Sequence, residues 1–329
     1  MCVLLGGWGA FAQPAEIGYS TLVENETLWG VVHDNISNKV GQGSGFRLLS
    51  LKAYPQQSLF REKEVGLNFE HVFNGTAADK DLCMFTPRRD TCTLEVHSPT
   101  SVTIHWAASE SSWGLKCSMR YDLQPDGVSM EFKAMPTREQ FPLGYCALMW
   151  ASYMGRTRER RYHFWGEKDS REQWLAFGED KPDGGFETGT VAHAGVRPLP
   201  YEEGAQTLNL IENTEKFFVL PFFYGLIDGD GNLSTDNDTL AYIMMFDQTD
   251  AIRFALWNFI QDTNHQPDPH SPAWDWQYVI REPKLGETYG YRAQLIILPY
   301  ENQENVMSLF RQQAWREAKR NSTRHYRQD

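Results

Sequence analysis

Short runs of alternating apolar and polar residues, each closed by a turn signal, constrain this chain more than any other feature. Thr93-Leu94-Glu95-Val96-His97 alternates, and after Ser98-Pro99-Thr100 the pattern resumes in Ser101-Val102-Thr103-Ile104-His105-Trp106. Leu115 to Leu123 is a third run, Gln124-Pro125-Asp126-Gly127 is a turn, and Val128 to Ala134 runs back. A period of two sends successive side chains to opposite faces of a strand, and turn residues at this spacing reverse the chain into an antiparallel meander. Later runs at Lys216–Pro221, Leu240–Phe246, Ile252–Phe259, Trp274–Ile280 and Tyr289–Leu298 continue the pattern. Asp228-Gly229-Asp230-Gly231-Asn232 joins two of them. Helical periodicity is scarce. It predicts one helix from Gln303 to about Arg320, with Val306, Leu309, Phe310 and Trp315 near one face, and a short helix over Asp169–Phe177.

The length, 329 residues, fits two domains or one large one. No linker, low-complexity tract or repeat divides the chain. The expectation is therefore an all-β fold: one large antiparallel β-sandwich over 13–300, then a C-terminal helix and basic tail over 301–329. Residues 2–12 are apolar and uncharged and end in Ala10-Phe11-Ala12, which reads as a truncated signal segment over 1–12. A short buried first strand is the alternative. The signal reading predicts a secreted or periplasmic protein. Four cysteines then remain, enough for two disulfides, with Cys83–Cys92 and Cys117–Cys146 the preferred pairing and buried free thiols an equal alternative. The formal charge of −12 repels phosphate backbones, so nucleic acid is not an expected partner. No apolar run reaches the roughly 18–20 residues that span a bilayer. The chain carries 11 Trp, 14 Tyr and 19 Phe, which suit strands and sugar grooves alike.

Three segments carry a family resemblance. Gly66-Leu67-Asn68-Phe69-Glu70-His71-Val72-Phe73 leads through Asn74-Gly75 to Phe85-Thr86-Pro87-Arg88-Arg89. Met149-Trp150-Ala151-Ser152-Tyr153-Met154 reads as a central strand feeding a loop. Trp274-Asp275-Trp276-Gln277-Tyr278-Val279-Ile280 with Tyr289 to Leu295 reads as a closing hairpin. In this layout the chain resembles the galactose mutarotase-like β-supersandwich superfamily. That superfamily includes aldose epimerases, and related sandwiches form modules of some polysaccharide lyases and glycoside hydrolases. The resemblance implies the fold and a carbohydrate ligand.

Four segments hold polar residues among aromatics, where chemistry is expected. Glu70-His71 is the first. Alternation places His71 with Leu67 and Phe69, which would desolvate a neutral imidazole fit to act as a base. Pro87-Arg88-Arg89-Asp90 is the second, with Arg89 free to stabilise an oxyanion if Asp90 holds Arg88. Tyr162-His163-Phe164-Trp165-Gly166-Glu167 is the third: His163 or Tyr162 as acid or base, Trp165 and Glu167 lining the sugar. The fourth is His193 among small residues, with Arg197 following. Trp274 and Trp276 are expected to line the same groove. For each segment a packed core or a solvated turn is the competing reading.

His265, Asp268 and His270, and separately Asp228, Asp230 and Asn232, are weak metal patterns. No metal and no cofactor is implied, and no nucleotide-binding or nucleophile-elbow motif occurs. The leading function is a secreted carbohydrate-active enzyme acting by proton transfer at a sugar carbon, epimerase-like or β-eliminating. It requires His71, His163 and His193 to converge on one groove. A glycoside hydrolase would use two of Glu70, Glu167, Asp275 and Glu282. A non-catalytic carbohydrate-binding module is the third reading.

Overall fold

The computed structural model describes residues 20–35, 43–61, 64–182, 184–235, 238–261 and 264–312. The signal-like segment, Trp315 and the basic tail lie outside them. In chain order the elements are β1 (Ser20–Glu24), β2 (Leu28–His33), β3 (Gly45–Leu51), β4 (Asn68–Phe73), α1 (Lys80–Cys83), β5 (Thr93–Ser98) and β6 (Ser101–Trp106). Then come β7 (Leu115–Gln124), β8 (Gly127–Pro136), β9 (Tyr145–Ala151), β10 (Thr157–Lys168), β11 (Arg171–Phe177), β12 (Gly189–Ala192) and β13 (Phe217–Phe218). The chain closes with β14 (Phe222–Asp228), β15 (Thr239–Phe246), β16 (Ile252–Trp257), β17 (Ala273–Arg281), β18 (Tyr289–Pro299) and α2 (Gln303–Gln312). A ten-stranded sheet runs β11-β10-β14-β15-β18-β8-β7-β6-β5, with β13 also paired to β10. A five-stranded sheet runs β12-β16-β17-β9-β4, and β1-β2-β3 form a third. All strand pairs are antiparallel, as the meander predicts.

Alternation decides what meets between the two large sheets. Phe69, Trp150, Phe254 and Trp276 of the smaller sheet face Phe132, Tyr162, Phe223 and Tyr291 of the larger. Trp150 stacks on Phe69 at 4.6 Å and on Trp276 at 5.8 Å, and Phe132 meets it edge-on at 4.5 Å. Such pairs add about 0.5–1.5 kcal/mol each beyond area burial.

Both outer faces are covered as well. On the larger sheet Phe222, Tyr224, Ala241, Ile243 and Met245 lie under α2, which inserts Val306 and Met307 and stacks Phe310 on Phe222 at 4.5 Å. The Asn302 side chain accepts from the Asn305 amide at 3.0 Å, capping the start of α2. On the smaller sheet a strap of residues 197–213 crosses from β12 toward β4. Asn213 N–H donates to the Thr190 carbonyl at 2.7 Å, Tyr145 Oη to Pro200 at 2.8 Å, and Glu202 N–H to Gly75 at 2.8 Å.

Three expectations are corrected. Asp169–Phe177 holds a strand, not a helix. Asp169 and Ser170 both take positive φ (52° and 58°), the geometry of a two-residue hairpin turn, and Arg171–Phe177 returns along β10. The strand expected at Lys216–Pro221 shrinks to Phe217–Phe218, because the Lys216 ammonium turns inward to Glu179 at 2.6 Å and to the Ala176 carbonyl at 2.9 Å. Cys83, Cys92, Cys117 and Cys146 are buried free thiols, so neither preferred disulfide forms. Cys83 Sγ instead meets the Asp79 carbonyl at 3.4 Å, and Cys92 Sγ accepts from Asn35 N–H at 3.3 Å.

Candidate functional site

The outer face of the smaller sheet holds the strongest constellation. Phe69 pairs with Trp150 and His71 with Met149, so Glu70 is the extra residue of a β-bulge. The bulge turns two consecutive side chains, Glu70 and His71, to the face opposite Phe69. Tyr153 follows β9, and Arg88 comes from the turn after α1. Arg88 Nη1 pairs with Glu70 Oε1, and Tyr153 Oη donates to the same oxygen at 3.1 Å. His71 Nε2 lies 3.7 Å from Glu70 Oε2. His71 Nδ1 sits against the Cys83 carbonyl and 3.1 Å from the Phe85 amide, so one turn of chain fixes the ring. The Arg88 guanidinium lies over the Phe85 ring at 5.3 Å.

Burial sets the electrostatics. Glu70 is 1% exposed, and the cluster meets solvent through the half-buried Arg88 and Tyr153. Desolvation pulls His71 below the usual imidazole value, against the pull of the Glu70 charge, so its ring is neutral near pH 7. Asp275, on the same sheet face, accepts from Ser152 N–H at 2.9 Å. Burial, with the negative charge of Glu70 adding to it, pushes Asp275 well above the carboxylate range. Burial likewise pushes the Tyr153 phenol well up, so it stays a proton donor. The face thus presents a paired carboxylate, a phenol, an imidazole, a guanidinium and a second carboxyl whose burial favours its neutral form.

The sequence-expected residues divide. His71 and Arg88 belong to this cluster, and exposed Arg89 stands at its rim with its guanidinium over Phe85 at 5.0 Å. His163 does not converge with them, so the three-histidine centre that the sequence reading requires does not form. His163 lies on the outer face of the larger sheet, Nε2 2.8 Å from Glu159 Oε1, its ring stacked on Tyr224 at 5.0 Å. The whole sandwich separates it from His71. Trp165 and Glu167 share the His163 face by alternation, and Trp165 Nε1 donates to Glu172 at 3.0 Å. His193 follows β12, Nδ1 3.2 Å from Asp250 Oδ1, beside Phe218. Arg197 is exposed on the strap, and its carbonyl accepts from Arg281 at 2.6 Å.

Tyr162, Trp274 and Trp276 are fully buried in the inter-sheet core, so no sugar reaches them. Trp274 Nε1 donates to the Arg160 carbonyl at 2.9 Å and Trp276 Nε1 to Tyr291 Oη at 2.8 Å.

The metal patterns dissolve into local bonds. Asp228 accepts from Gly231 N–H and faces Arg158, and His270 Nδ1 meets the Thr157 carbonyl at 2.7 Å. Among the described residues no group of three or more His, Cys, Asp or Glu is placed to hold a metal ion. Tyr153 and, as a site residue, Gln277 were not singled out in the sequence. Tyr153 lies within a segment read only as a loop-feeding strand.

No family model matches the chain, and no curated protein matches it. Solved structures do. One is described as a putative aldose 1-epimerase from Escherichia coli K12, 12% identical with a TM-score of 0.47, over 85% of this chain and 99% of that one. A galactose mutarotase-like protein from Lactobacillus casei is 11% identical with a TM-score of 0.46, over 85% and 100%. A galactose 1-epimerase from Lactobacillus acidophilus is 11% identical with a TM-score of 0.39, over 85% and 94%.

Proposed function

We propose that this protein is an exported carbohydrate-active enzyme acting by proton transfer at a sugar carbon, with Glu70, His71, Arg88 and Tyr153 as its chemical centre. The observation that carries the reading is the shared Glu70 carboxylate, which takes both the Arg88 guanidinium and the Tyr153 phenol while His71 stands 3.7 Å away. Glu70, held by Arg88 and Tyr153, is the carboxylate placed to take the proton. Neutral His71 or Tyr153 returns the proton, and Arg88 with Arg89 faces the oxyanion that develops. Substrate enters along the Phe85–Arg88–Arg89 edge. An epimerase-like reaction and a β-elimination both use this set.

A panel of saccharides read for ultraviolet absorbance, new reducing ends and anomer ratio tests the proposal. New double bonds support elimination, and a changed anomer or epimer ratio supports isomerisation. Reducing ends without absorbance indicate hydrolysis and overturn it, as does silence across the panel. Asp275 on the same face as Glu70 is the observation that favours hydrolysis as second reading: two carboxyl groups, one raised by burial, are the pair that reaction needs.

A further inference from the structure

One straight row of paired residues crosses the outer face of the smaller sheet: His71 opposite Met149, Met149 opposite Gln277, Gln277 opposite Arg253. Gln277 is 0% and Arg253 1% exposed. Arg253 spends Nη2 on Glu212 and on the Arg197 carbonyl at 3.3 Å. Gln277 spends its amide nitrogen on the Asn209 carbonyl at 2.6 Å. Arg253 Nε and Nη1 and Gln277 Oε1 are left, buried, with no hydrogen-bond partner. Each such orphan costs about 1–3 kcal/mol, and folded proteins seldom keep them without an occupant.

We propose that the Gln277–Arg253 end of this row is a sugar-hydroxyl subsite beneath the 197–213 strap, taking the remote ring of a neutral disaccharide or longer chain. The ligand class rests on the functional reading above. The chemistry of the orphans narrows it. A hydroxyl both donates and accepts, so it satisfies Gln277 Oε1 and an Arg253 N–H together. A carboxylate offers no proton to Gln277 Oε1 and leaves that buried acceptor unpaired, so a neutral ring fits better than a uronate. Strands lie about 4.8 Å apart, which puts Arg253 roughly 14 Å from His71, further than one pyranose reaches. The strap closes the row at Asn209. That residue donates to Met149 Sδ at 2.5 Å, accepts from Trp257 Nε1, and holds a left-handed φ of 61°. Asparagine tolerates that conformation, and because Gln277 and Arg253 are closed to solvent beneath the strap, the subsite requires the strap to lift off Met149 and Trp257 when the ligand enters.

Calorimetric titration with lactose, maltose, galactose and galacturonate tests this on the full chain. The disaccharides bind at least tenfold tighter than galactose, and galacturonate binds weakest. Gln277→Met, which keeps the volume and removes the polar atoms, weakens disaccharide binding at least tenfold. Arg253→Lys, which keeps the charge opposite Glu212, weakens it by a similar factor. Glu70→Gln separates the two proposals, since turnover is lost there while disaccharide binding persists. Unchanged binding in both row variants overturns the subsite, as does galacturonate binding as well as lactose. So does a lactose-soaked crystal with only water between Arg253 and Gln277. Absence of any saccharide binding overturns it too.

Discussion

Tyr153 Oη donates to Glu70 Oε1 at 3.1 Å, onto the carboxylate oxygen that also pairs with Arg88. A bulge on β4 and the end of β9 bring the two together. The pair lies on the outer face of the smaller sheet, away from the aromatic core.

Arg88→Met strands a buried carboxylate. Removing one partner of a buried ion pair costs about 3–5 kcal/mol. Urea denaturation of the variant should show an unfolding free energy lower by that amount, seen as a drop in midpoint at unchanged slope. Glu70→Gln with Arg88→Met together should recover part of it, because the charge left behind is gone.

His71 sets a pH dependence with a definite sign. Its folded value is depressed by burial, so the folded ring stays neutral where the unfolded chain takes up a proton. Its contribution to stability is full above about pH 6.5 and is lost as pH falls toward the folded value. Melting temperature measured from about pH 7 down to pH 5 should fall more steeply for the wild type than for His71→Asn.

Asp275 behaves as a neutral acid that accepts a bond. Asp275→Asn keeps an acceptor for Ser152 N–H and should cost under about 1 kcal/mol, whereas Asp275→Leu leaves that amide unpaired and should cost about 1–3 kcal/mol. Chemical denaturation of the two variants distinguishes this from an ionised Asp275, for which Asn would be the harmful change.

Trp276→Ala should destabilise by about 3–5 kcal/mol through the cavity it opens between the sheets. At temperatures where the variant is folded, sugar affinity by calorimetry should match the wild type, since Trp276 lies in the core and not in a groove.

The strands were legible because alternation and turn residues are local signals. Thr93–His97 through Val128–Ala134 needed nothing beyond nearest neighbours. Asp169–Phe177 departs from the expected helix because a nine-residue run fits either period, and the Asp169-Ser170 turn that decides it shows only in φ. Glu70-His71 stood out as polar residues in an apolar run, but the bulge that puts both on one face depends on register with β9. Trp274 and Trp276 were placed in a groove because period two separates the faces of β17 without saying which is core. Both faces of β17 are buried, since the 197–213 strap adds a third layer. Gln277 and Asp275 sit under that layer, so the residues that build the outer face looked like ordinary core. The histidines were grouped by their aromatic neighbours, and sheet order sends His71 and His163 to opposite sides.

Turnover by Glu70→Gln on a saccharide that the wild type converts tests the central claim most directly. The substitution keeps shape and Tyr153 contact while removing the base. The account predicts a loss of at least about 100-fold, the scale of general base catalysis, measured at a temperature where the variant is folded, since Arg88 loses its buried partner and the melting temperature falls. Turnover equal to wild type in the folded variant would contradict it.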